Sequence, residues 1–166
     1  DGWERDVESE GNNWVQGWST AEGIKERVAK MRRKQCLHEG DRSDAVLQVL
    51  DGATQGLTYP GWEHDLKCEQ SRWVGGFVTA ASIKLRVARM RRRQRLHDGD
   101  RSDALLQVLD EATQGLTYDG WEHDVKVVED LWAQGWTTES IERSVERMRR
   151  RQCLHEGDRS DAVLQV

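Results

Sequence analysis

Apolar residues along this chain recur three and four positions apart, and alternation never persists. Trp121, Val125, Val128, Trp132 and Trp136 fall on one side of a helix, the spacing of an element that buries one face. Ile24, Val28, Met31 and Gln35 form a second such line, and Ile83, Val87, Met90 and Gln94 repeat it. A third stripe joins Val46, Val49, Leu50, Ala53 and Leu57, with Asp44, Gln48, Asp51 and Gln55 facing the other way. β-branched residues are scattered, and the one proline, Pro60, sits where a helix has to stop. The pattern predicts an all-α fold.

Boundary residues divide these stripes into helices. The run Ser19-Thr20-Ala21-Glu22 reads as a capping box that opens the second helix, with Thr79 and Thr138 as the later caps. Gly40, Gly99 and Gly157 are placed to end it. A third helix is expected to start around Ser43, Ser102 and Ser160 and to end near Gly56 or Gly115. In the first helix, Glu10 stands where Val128 stands later, and Gly11-Asn12-Asn13 follows. That helix is expected to be weak or broken.

The same three-helix pattern returns along the chain. Gly-Trp-Glu-Arg-Asp at Gly2 becomes Gly-Trp-Glu-His-Asp at Gly61 and Gly120, a period of 59 residues. The segment from Asp41 to Tyr59 returns almost unchanged from Asp100, and its first nine residues return from Asp158. One residue is missing from the third copy between Trp136 and Met148. The expected units are residues 1–59, 60–118 and 119–166, the last truncated in its third helix, so the sequence reads as a piece of a longer array. Common helical repeats have periods of roughly 33 to 47 residues, which this one exceeds. Narrow stripes on units of this size favour packing between neighbours, and the expectation is a short solenoid or semi-rigid rod.

Composition fits thin layers: 36% of the 166 residues are apolar and 33% are charged. The formal net charge of −5 argues against bulk attraction to nucleic acid or an anionic membrane. No apolar run reaches membrane-spanning length, so no membrane insertion is expected. Three cysteines, Cys36, Cys68 and Cys153, form no framework and suggest reduced thiols in an intracellular compartment.

Candidate chemistry gathers at the end of each second helix, as in Met148 to Ala162. The arginines spread over more than half the helix circumference, and Glu142 and Glu146 precede them at pairing distance. By unit the charges are 8 basic and 11 acidic, then 10 and 8, then 7 and 11. A phosphate-tracking array needs basic groups in register in every unit, and only the middle unit is basic. Cys36, His38, Glu39 and Asp41, like Cys153, His155, Glu156 and Asp158, match no standard zinc spacing, and Arg95 replaces the cysteine in the middle copy. No nucleophile elbow, phosphate loop or paired metal-ligand motif is present, so no catalytic residue, metal or cofactor is expected.

Tryptophan is the remaining signal, eight residues against two tyrosines and one phenylalanine. Aromatics at helical spacing belong first to a core, yet three per first helix exceed what a thin unit hides, and tryptophan is a preferred interface anchor. The expectation is a non-enzymatic scaffold or linker that docks one or more proteins multivalently within a larger assembly. The residues expected to face partners are Trp14, Trp18, Trp73, Phe77, Trp132 and Trp136, with Arg32, Arg33, Arg91, Arg92, Arg93, Arg149, Arg150 and Arg151. The alternative is an RNA- or DNA-binding helical repeat using the same arginines, with tryptophan stacked on bases.

Overall fold

The computed structural model describes residues 2–157, and its regular elements there are eight α-helices. In chain order they are α1 (Trp3–Val15), α2 (Ala21–Glu39), α3 (Ala45–Thr54), α4 (Trp62–Val74), α5 (Ala80–His97), α6 (Ala104–Thr113), α7 (Trp121–Gln134) and α8 (Thr138–His155). The third helix expected to begin at Ser160 lies outside the described residues. None of the helices is long and apolar enough to cross a membrane.

Two compact units divide the chain. The first comprises Asp1–Gly56 and Gly61–Val87, the second Leu57–Pro60 and Ala88–Val166, so α5 contributes a half to each. In the first unit, Leu47 and Leu50 of α3 meet Trp73 and Val74 of α4 and Ile83 of α5, with Leu37, Val46, Leu66 and Val87 packed around them. In the second, Leu106 and Leu109 of α6 meet Val128 and Trp132 of α7 and Ile141, Val145 and Met148 of α8. Each core therefore joins a third helix to the first and second helices that follow it in the chain.

The caps explain where helices begin, and they move three expected starts. Thr20 accepts a hydrogen bond from the Gly23 amide at 3.1 Å. Thr79 and Ser82 cap one another reciprocally, at 3.0 and 3.2 Å. In the third copy the cap is Thr137, not Thr138, because the missing residue falls just before it. The third helices start one residue later than expected: Asp44 and Asp103 are the caps and accept from the Val46 and Leu105 amides. Carboxylates outcompete the preceding serines here because they bond the free amides more strongly.

Two further expectations change. The α3 stripe centres on Leu47 and Leu50, both fully buried, while Val46 and Val49 are only half-buried. Leu47 was absent from the expected stripe. The break expected in α1 does not occur, and the helix runs through Gly11, Asn12 and Asn13. Glu10 is held instead as an ion pair, with Arg27 of α2 at 2.5 Å and no aligned hydrogen bond between the closest atoms. Glu69 of α4 and Arg86 of α5 form the same pair at 2.9 Å. In the third copy Val128 and Ser144 stand at these positions, so both charges disappear together. That avoids leaving one buried charge unpaired.

Candidate docking surface

The expected tryptophan positions separate cleanly. Trp73 is 6% exposed and Trp132 3%. Each indole N–H donates to the aspartate that caps the preceding third helix, Trp73 to Asp44 at 3.1 Å and Trp132 to Asp103 at 3.0 Å. The two rings belong to the cores and leave the partner-facing set. Trp14 occupies the same step of the first copy and is 55% exposed.

Trp18, Phe77 and Trp136 are 78%, 81% and 52% exposed. They occupy one position in the three copies, immediately after Gly17, Gly76 and Gly135. These glycines have φ of 72°, 76° and 83°, a left-handed conformation that ends each first helix at low steric cost. The aromatic that follows is turned off the helix rather than into its buried face. Local support differs between copies. The Trp136 indole N–H reaches Oε1 of Gln134 at 3.3 Å. The Phe77 ring lies over Gly75, where a β-carbon would come within 2.6 Å of it.

The arginines also divide. Arg32, Arg91, Arg93, Arg149, Arg150 and Arg151 are exposed, whereas Arg33 and Arg92 are half-buried. Arg33 presses its guanidinium against Gly76, and Arg92 does the same to Gly135. Each thereby covers the C-terminal end of a following first helix, where a cation is favoured by the helix dipole. Arg92 and Arg95 also lie over the Trp132 ring, 5.9 and 5.7 Å from its centre. Arg150 pairs with Glu146 at 2.6 Å, and Arg151 bonds Asp124. Arg33 and Arg92 thus serve the interior of their units, and Arg150 and Arg151 are internally paired.

Charge pairing extends to the junctions. Arg42 holds Asp51 through its Nε at 2.8 Å, and that hydrogen bond keeps the Asp51 carboxyl below its ordinary range. Arg95 and Ser102 do the same for Asp100. Arg101 bonds both Asp110 and Glu129, the latter at 2.5 Å. Burial first, and then the hydrogen bond to Asp124 at 2.7 Å, push the Tyr118 phenol up to about 12.

Two glutamines carry a role that the periodicity did not reveal. Gln94 Oε1 accepts from the Thr58 and Tyr59 amides at 2.7 and 3.0 Å, and its Nε2 donates to Thr58 Oγ1 at 2.9 Å. Gln152 holds Thr117 and Tyr118 in the same way, at 2.8, 3.1 and 2.9 Å. A polar residue in an otherwise apolar line was the available signal. Gln35, the first-copy equivalent, is exposed and donates to Glu39 at 2.6 Å.

An apolar concavity lies on the first unit. Val7, Glu10, Gly11 and Trp14 of α1 and Ala21, Ile24, Val28 and Met31 of α2 line a groove of about 490 Å³. Neither α1 nor α2 contains a fully buried residue. Among the described residues, no three histidine, cysteine, aspartate or glutamate side chains converge as a metal site would require. No family model, curated protein or solved structure matches the chain.

Proposed function

We propose that this chain is a non-enzymatic scaffold or linker built from tandem helical repeats of about 59 residues, stacked as a short solenoid or semi-rigid rod, and that it binds other proteins within a larger assembly. The observation that carries the reading is the exposed aromatic after each first helix: Trp18, Phe77 and Trp136. A large aromatic held in solvent at one step of every copy spends apolar surface that folding does not use, and such residues anchor interfaces. The recurring Trp–Asp and Gln–link hydrogen bonds support a repeated architecture beneath them. The exposed arginines Arg32 and Arg149 add cationic groups for an acidic partner. Weak sites repeated along one chain gain affinity through effective concentration.

The test is capture of partners from the source lysate on the whole chain, with and without nuclease, beside a Trp18→Ala, Phe77→Ala, Trp136→Ala triple variant. A stoichiometric protein that survives nuclease and is lost with the triple variant is the expected result. Capture that disappears with nuclease replaces this reading with nucleic-acid binding through the arginines. Capture indifferent to the triple variant removes the aromatics from the site. Because these side chains are exposed, the variant is expected to melt within about 0.5 kcal/mol per substitution of the parent.

A further inference from the structure

The α1–α2 groove matches, step for step, two surfaces that are covered elsewhere in the chain. Trp14, Ile24, Val28 and Met31 line it. Trp132, Ile141, Val145 and Met148 occupy those steps on α7 and α8, where Leu106 and Leu109 of α6 cover them. Trp73 and Ile83 occupy the first two of those steps on α4 and α5, where Leu47 and Leu50 of α3 cover them. Two polar features accompany each covered surface: the indole N–H of Trp73 or Trp132 bonds the aspartate capping the incoming helix, and Gln94 or Gln152 takes the amides of the Leu-Thr-Tyr link that follows it. Trp14 and Gln35 stand at the same steps beside the groove. Among the described residues, no third helix covers it.

We infer that the α1–α2 groove is the seat of a third helix of this same repeat, carrying the Asp41–Tyr59 pattern and supplied by another copy of the repeat. The inference rests on the repeat reading above and names the partner that one site takes. Two leucines three residues apart enter between α1 and α2, as Leu47 and Leu50 do in their own unit. The helix-capping aspartate accepts from the Trp14 indole, and the trailing link gives its amides to Gln35. The groove is therefore selective: a generic amphipathic helix brings the leucines but neither the cap nor the link.

The experiment titrates the whole chain into a labelled synthetic peptide of residues 41–59 and reads anisotropy. Saturable binding is expected. A peptide with Leu47→Asp and Leu50→Asp, and the Trp14→Ala chain, are each expected to lose at least about tenfold in affinity, as a central anchor does. Gln35→Ala should weaken the full peptide several-fold and leave a peptide of residues 41–55, which lacks the link, unaffected. Absence of saturable binding with the chain at about 1 mM, where a Kd of that order would show, overturns the proposal. So does equal binding by the leucine-less peptide or by an unrelated amphipathic helix. Thermal unfolding of a Leu47→Asp chain separates the two ideas. If it melts like the parent, third helices do not hold the helices that follow, and the repeat reading falls. If it is strongly destabilised while the peptide does not bind, only the groove assignment falls.

Discussion

The glutamines show how single residues join successive segments. Gln152 meets the amides of Thr117 and Tyr118 thirty-five and thirty-four residues earlier in the chain. Gln152→Ala leaves these donors without their partner, and the expected loss is about 1–3 kcal/mol in urea unfolding. Gln35→Ala, at the exposed equivalent, should cost less than about 0.5 kcal/mol. A second residue-scale consequence concerns Tyr118. Its phenol is held protonated to about 12 by burial first and by Asp124 second, whereas an unfolded tyrosine ionises near 10. The folded value is raised, so this contribution to stability is fully present below about pH 10 and is lost as pH rises through 12. Ultraviolet titration of the phenolates should show an ionisation near pH 12 that Tyr118→Phe removes. Sequence periodicity placed Gln94 in an inward line without giving its role, because its acceptor and donor atoms answer a link far away in the chain. The Trp positions were ambiguous for the same reason. Trp14 and Trp73 occupy equivalent steps, and only the helix lying over each decides which is buried.

At the scale of elements, the all-helical character of the described residues was legible because spacing and capping are local. Positive-φ glycines end α2, α4 and α7 where the sequence has Gly40, Gly76 and Gly135. Finer placement failed where two local signals competed. Asp44, beside Ser43, is the cap, and the inward stripe centres on Leu47, which the expected line left out. The division of labour among first helices was not legible at all. α7 buries Val128, Trp132 and Ala133, α4 buries Glu69, Trp73 and Val74, and α1 buries nothing. This gradient yields a direct comparison between equivalent substitutions. Trp132→Ala removes a ring that lies in a core of leucines and satisfies Asp103, and its expected cost is about 3–5 kcal/mol. Trp14→Ala removes an exposed ring, and the expected change is about 0.5 kcal/mol or less. Equal losses from the two variants in denaturant unfolding would mean that Trp14 is covered in solution. The arginines follow the same logic. Arg33 and Arg92 had looked like surface charge, yet each caps the end of a helix in its own unit, which a local reading of a basic run cannot distinguish from a solvated face.

For the whole molecule, the distribution of buried residues sets the order in which the chain opens. The core of the second unit gathers Leu106, Leu109, Val128, Trp132, Ile141, Val145 and Met148, with Leu116 and Tyr118 beside them. The core of the first is smaller, and it is built from α3, α4 and the start of α5. α1 and α2 lie outside it apart from the half-buried Cys36 and Leu37. Protection of backbone amides follows the free energy needed to open each segment, and segments with few buried apolar contacts open first. Native-state hydrogen exchange should therefore show α1 and the N-terminal half of α2 exchanging fastest, α3 and α4 next, and α6, α7 and α8 slowest. Uniform protection across all eight helices would mean that the outer pair is stabilised by something that covers it, such as self-association, and the rate would then depend on protein concentration. The same measurement connects to the groove. Adding the peptide of residues 41–59 should slow exchange in α1 and α2 and leave α7 and α8 unchanged, since the corresponding seat there is already filled by α6. Slowing that is equal in both units would instead indicate binding without regard to the vacant seat.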